Sequence, residues 1–142
     1  MEEVFITESA EETIELGEKL SKGELGIEIA KGSVIALNGE LGGGKTHFTK
    51  GIALGLGYTG YVKSPSFTIL HEYTGGTLPL YHIDLYRIES GVEELGLEEY
   101  IEGEGVTVIE WAERATELFD DKTVMINFEY IDEDKRRIII KK

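Results

Sequence analysis

A chain of 142 residues predicts one domain over 1–142, large enough to bury a core and too short to build a second. Hydrophobic residues make up 41% of it, which excludes wholesale disorder, and the lack of cysteine excludes disulfides and thiolate zinc sites. A net charge of −14, from 28 acidic and 14 basic residues, disfavours direct binding to RNA or DNA, whose phosphates are held by Lys and Arg.

No run approaches the roughly eighteen apolar residues of a membrane span, and the Met1-Glu2-Glu3 start lacks the basic region of a signal peptide. The expectation is a cytoplasmic protein without membrane association. An acidic surface suits a partner protein with a basic face, or serves solubility alone.

In chain order, Val4-Phe5-Ile6-Thr7 predicts a short first strand. Ser9-Ala10-Glu11-Glu12 reads as a capping box, with Ser9 capping and Glu12 reaching back. Ala10, Thr13, Gly17 and Leu20 then share one face of a helix ending near Ser21, and residues 22–32 connect it to the next strand.

Ser33-Val34-Ile35-Ala36-Leu37-Asn38 reads as a buried strand. It runs into Gly39-Glu40-Leu41-Gly42-Gly43-Gly44-Lys45-Thr46, which fits the pattern of a glycine, four variable residues and Gly-Lys-Thr. His47 to Leu54 comes next as a helix, with Phe48, Ile52 and Leu56 spaced for one face. Strand, glycine turn, helix is the setting of a phosphate-binding loop. Glycines let main-chain N–H groups approach a phosphate with no Cβ in the way, and the helix N-terminus adds unpaired donors. Glu40, Leu41, Gly42, Gly43, Gly44, Lys45 and Thr46 are therefore the nucleotide-binding candidates. In such a loop the lysine, here Lys45, reaches the β- and γ-phosphates, and the hydroxyl, here Thr46, binds Mg²⁺.

Gly55, Gly57 and Gly60 mark an irregular stretch, succeeded by the rigid, hydroxyl-bearing Lys63-Ser64-Pro65-Ser66. Phe67 to Tyr73 and Leu78 to Asp84, joined by Thr74-Gly75-Gly76-Thr77, predict a hairpin, with Pro79 near the start or edge of its strand. Asp84 is open to two readings, a helix cap or a functional acid. Residues 88–102 read as loop and short helix with a solvated acidic face.

Gly105-Val106-Thr107-Val108-Ile109-Glu110-Trp111 is a second buried-strand signature, ending in a carboxylate. Phosphate-loop enzymes place an acid at such a strand tip, where it holds the metal or orients water, and both roles stay open for Glu110. Trp111 reads equally as a buried anchor or a partner contact. Thr123 to Tyr130 and Arg136 to Ile140, across the charged turn Asp132-Glu133-Asp134-Lys135, form a terminal hairpin. The expected fold is α/β: a mixed β-sheet of the phosphate-loop NTPase type, flanked by helices and carrying antiparallel hairpins.

Four ordered motifs, Gly-Glu-Leu-Gly-Gly-Gly-Lys-Thr (39–46), Lys-Ser-Pro-Ser-Phe-Thr (63–68), Tyr-His-Ile-Asp-Leu-Tyr-Arg (81–87) and Val-Ile-Glu-Trp (108–111), closely resemble the TsaE family of YjeE-type ATPases. The likeness covers roughly residues 9–111. It implies an ATPase required for N6-threonylcarbamoyladenosine at position 37 of tRNAs reading ANN codons, working with TsaD and TsaB on ATP and Mg²⁺. The transfer of the threonylcarbamoyl group itself belongs to TsaD. By resemblance Lys45 contacts phosphates, Thr46 and Glu110 hold Mg²⁺, Asp84 supports metal or water, and Ser66 belongs to a switch-like loop. Lys135 or Arg136 is a further suggested nucleotide contact. Two positions depart from the family pattern. Ser66 replaces the usual threonine but keeps the hydroxyl, and with it a γ-phosphate or metal contact, and His47 stands where a second threonine is common.

Three other functions use the same loop. A small-molecule kinase needs an arginine-bearing lid, whereas the adjacent Arg136 and Arg137 fall in a predicted strand. A GTPase needs Asn-Lys-x-Asp, which does not occur. A scaffold would bind ATP without meaningful turnover.

Overall fold

The computed structural model describes residues 2–39, 44–60, 62, 70–86, 88, 91, 95–101 and 103–142. Seven strands form one sheet: β1 (Glu2–Thr7), β2 (Val34–Gly39), β3 (Leu70–Tyr73), β4 (Leu80–Asp84), β5 (Val106–Glu110), β6 (Val124–Tyr130) and β7 (Arg136–Lys141). Helices α1 (Ala10–Ser21), α2 (Lys45–Gly55) and the one-turn α3 (Glu98–Ile101) accompany them, with two short 3₁₀ turns at Ala112–Arg114 and Thr116–Leu118.

The order across the sheet is β1-β7-β6-β2-β5-β4-β3. Its centre, β6-β2-β5-β4, is parallel; β3, β7 and β1 add antiparallel edges. β2 and β5 lie deepest, which is why both read as continuous apolar runs.

Side chains alternate across the sheet. Ile35, Leu37, Leu80, Val106, Val108, Ile126 and Phe128 meet Leu16, Leu20, Phe48, Ile52 and Leu56 of α1 and α2 in the larger core. Val34, Ala36, Ile83 and Ile109 meet Leu85, Leu97, Ala112 and Ala115 in a smaller core on the opposite face. Phe48 and Phe128 meet edge to face, ring centroids 5.4 Å apart, tying α2 to β6.

The mixed α/β sheet is as expected, and both predicted hairpins form. Pro79 lies just ahead of β4, where its carbonyl accepts from the Val106 N–H at 2.9 Å. Three local readings change. Glu12 does reach back, but to the Glu8 N–H at 3.1 Å, one residue before the cap, while Ser9 Oγ accepts from the Glu12 N–H. Gly55 is the last residue of α2, not part of an irregular stretch, and a Cβ there would stand 1.8 Å from Ser21 Oγ. The first strand begins at Glu2, because β7 offers it a ladder from Lys141 to Arg136. Phe67 to Ile69 of the predicted hairpin lie outside the described residues. No helix among the described residues is long and apolar enough to cross a membrane.

Candidate active site

Parallel strands send their C-terminal ends to one side of the sheet, where open α/β sheets bind ligands. The register aligns Asp84 of β4 with Glu110 of β5, and Glu110 with Leu37 of β2, two residues before Gly39. Alternation places His82, Asp84 and Glu110 on the face that carries α2, together with Leu80, Val106 and Val108. A cleft of about 280 Å³ opens there. Gly44, Lys45, Thr46, Asp84, Glu110 and Trp111 line one side of it. The N-terminus of α1, through Ser9, Ala10 and Thr13, and Arg136 of β7 contribute the other.

Gly44 caps α2 with a φ of 97°, a left-handed conformation that a β-carbon would strain, and offers no side chain to the helix. Among the described residues the first-turn N–H groups of α2 have no side-chain cap, and no acidic residue stands in that turn. Lys45 opens the helix and is 4% exposed. Its Nζ donates to the Gly39 carbonyl at 2.7 Å and stands 4.4 Å from the centroid of the Trp111 ring. Burial lowers its pKa below the ordinary lysine value, while the charges of Glu110, Glu113 and Asp84 oppose that shift.

Each of the paired carboxylates commits one oxygen to the protein. Glu110 Oε2 is hydrogen-bonded to His82 Nε2. Asp84 Oδ1 accepts from the Tyr86 N–H at 2.9 Å, closing a turn at the end of β4; no helix starts there among the described residues, so Asp84 is not a helix cap and lies in the cleft instead. Burial pushes the Asp84 carboxyl above its usual range; the Tyr86 N–H pulls it back, and the Glu110 charge adds to the rise.

Among the described residues no group of three His, Asp or Glu side chains forms a complete metal cage. One oxygen each from Asp84 and Glu110, with the Thr46 hydroxyl lining the same cleft, suits Mg²⁺, which takes one or two carboxylates and completes its shell with phosphate and water. The residues present fit that ion.

Trp111 comes directly after Glu110 with a φ of 59°, the only positive φ outside glycine among the described residues. That strain turns its ring over Lys45 and against Tyr86, 5.1 Å between ring centroids. Arg114 stacks on the ring, 5.1 Å from its centroid. Arg114 Nη1 also donates to the carbonyls of Leu85 at 3.1 Å and Ile88 at 3.2 Å, and to that of Tyr86. The segment after β4 is thereby tied to the turn after β5.

Of the expected site residues, Gly44, Lys45, Thr46, Asp84 and Glu110 meet in the cleft. Glu40, Leu41, Gly42, Gly43 and Ser66 lie outside the described residues. Trp111 is a half-buried wall of the site, and Arg136 reaches the cleft whereas Lys135 pairs with Glu8 at 3.9 Å. Sequence reasoning missed His82 and Arg114. A polar residue two before Asp84, on the core-facing side of an apolar strand, was the available signal for His82. Arg114 carried none, since its partners are main-chain carbonyls 26 to 29 residues away.

Residues 7–138 match the family model described as "Threonylcarbamoyl adenosine biosynthesis protein TsaE". That span continues well beyond residue 111, where the motif likeness ends. A Bacillus subtilis protein named tRNA threonylcarbamoyladenosine biosynthesis protein TsaE is 50% identical over 107 residues, 75% of this chain and 68% of the relative. The protein of that name from Treponema pallidum is 39% identical over 137 residues, 95% of this chain and 97% of the relative. A crystal structure of Bacillus subtilis YdiB superposes with a TM-score of 0.81 at 39% identity, covering 99% of this chain and 84% of that one. Family model, relatives and fold agree: the chain belongs to the TsaE family.

Proposed function

We propose that this protein is a Mg²⁺-dependent ATPase of N6-threonylcarbamoyladenosine formation on tRNA, acting by ATP binding and hydrolysis on the TsaD–TsaB complex in the cytoplasm. One observation carries the reading: the uncapped N-terminus of α2, the Lys45 ammonium and the Asp84–Glu110 pair converge on a single cleft. The names of the relatives supply the pathway.

The chain's own groups divide the work. Lys45, now held by the Gly39 carbonyl, exchanges that acceptor for a phosphate oxygen. The first-turn N–H groups of α2 add donors to the same phosphates. Thr46, Asp84 and Glu110 would hold Mg²⁺, which neutralises the charge that develops on the transferring phosphoryl group. Trp111 walls the cleft, and Tyr86 packs against its ring. A small-molecule kinase is disfavoured, because Arg136 donates to the Asp132 and Glu133 carbonyls of its own hairpin turn.

The test is ATP hydrolysis with and without purified TsaD and TsaB, beside calorimetric titration of ATP, ADP and GTP. ATP and ADP bind with Mg²⁺, GTP binds much more weakly, and hydrolysis rises when the partners are added. The isolated protein gives no gel-shift with tRNA at micromolar concentration, the outcome its charge of −14 favours. Glu110→Gln raises the Mg²⁺ requirement for nucleotide binding, whereas a base acting on water would lose hydrolysis alone. Wild-type hydrolysis in Lys45→Ala with the partners present would overturn the assignment.

A further inference from the structure

We propose that His82 is the positioning residue that aims the Glu110 carboxylate into the cleft. This rests on the proposed nucleotide and magnesium site, and gives a role to a residue that the proposed function does not use.

His82 lies in β4, two residues before Asp84, so both project from the same face of the sheet. Opposite it in the ladder is Val108, and Glu110 is the next residue on that face of β5. His82 is fully buried, with 0% exposure, and Glu110 is 4% exposed. A carboxylate only accepts, so in the hydrogen bond to Glu110 Oε2 it is Nε2 that donates. Nδ1 is buried and has no hydrogen-bond partner among the described residues.

That imbalance argues against a filler role. A leucine or phenylalanine would fill the same volume without burying a polar nitrogen, which is unfavourable in a dry interior. The ring is retained for what Nε2 does. By taking Oε2 it fixes the rotation of the carboxyl group and leaves Oε1 for the cleft, as groups behind ligating side chains do in metal sites.

Three variants separate positioning from packing. His82→Leu keeps bulk and loses the donor. His82→Gln places an amide N–H near the position of Nε2, and His82→Asn places one near Nδ1, too short to reach Glu110. The readouts are ADP affinity by calorimetry with and without Mg²⁺, and kcat against KM for ATP with the partner proteins. In His82→Leu and His82→Asn, ADP affinity without Mg²⁺ stays at the wild-type value, because Lys45 and α2 are untouched. The Mg²⁺ concentration for half-maximal tightening rises by about 10-fold or more, and kcat falls further than KM changes. His82→Gln restores most of both.

A wild-type Mg²⁺ response in His82→Leu or His82→Asn overturns the proposal, as does a His82→Gln no better than His82→Asn. If His82→Leu does not fold, the two amides still decide, since they differ in reach and not in polarity. Failure of the underlying function shows in the wild-type protein itself, whose ADP affinity would then ignore Mg²⁺, and that result overturns both.

Discussion

Helices α1 and α2 lie against each other on one face of the sheet, and their first turns are finished in opposite ways. Ser9 caps α1 by accepting the Glu12 N–H at 3.1 Å, and Glu11 and Glu12 place negative charge on the helix dipole. α2 begins at a left-handed glycine with no capping side chain and no acid in its first turn, and has Lys45 in its place. A helix end left open in this way is unfavourable unless something else satisfies it. At α2 the arrangement suits an anion from outside the chain; at α1 the chain has already supplied one. One end is closed by its own side chain and the other is left open, and both border the same cleft.

The largest way to break this comparison is to part the helices. A Cβ on Gly51 would stand 1.9 Å from the Ile14 carbonyl oxygen, and one on Gly17 would stand 2.3 Å from that of Phe48. Backbone cannot swing aside as a side-chain tip can. Gly51→Ala destabilises the fold by about 3 kcal/mol, read by chemical denaturation. Gly55→Ala, whose nearest obstacle is the movable Ser21 Oγ, loses less.

Next comes the open end. Lys45→Ala removes a charged donor that is 4% exposed. ADP affinity falls by roughly 30-fold, equivalent to about 2 kcal/mol, with little change in the denaturation midpoint. An affinity loss matched by an equal loss of stability would erase the distinction between the two helix ends.

The closed end gives a smaller effect of the opposite kind. Ser9→Ala lowers stability by about 1 kcal/mol, while ADP affinity changes far less than in Lys45→Ala. The smallest effect sharpens the contrast through pH. The folded state raises the Asp84 pKa above its ordinary value of 3.8, so Asp84 holds its proton to higher pH when folded. Stability contributed by the protonated form is therefore lost as pH rises from that value through the folded pKa. Asp84→Asn abolishes this loss and is relatively more stable at neutral pH, at the expense of Mg²⁺-dependent nucleotide binding. Thermal melts across pH 4 to 8 would read it; a wild-type pH dependence in the variant contradicts it.

Much of this was legible in the chain itself. The Ser9 cap, the phosphate-loop pattern, the helix after it and the strand ending at Glu110 come from turn chemistry and period, which act over a few residues. What the sequence could not state is which strands lie side by side. Asp84 and Glu110 face each other, and His82 reaches Glu110, because β5 returns between β2 and β4, 26 to 28 residues beyond its partners in β4. The turn of Trp111 over Lys45 likewise depends on a strained φ that no residue preference announces. Local hydrogen bonds and spacing determine the elements. The order and register of the sheet, and with them the site, are decided only when apolar faces from the whole chain are buried together.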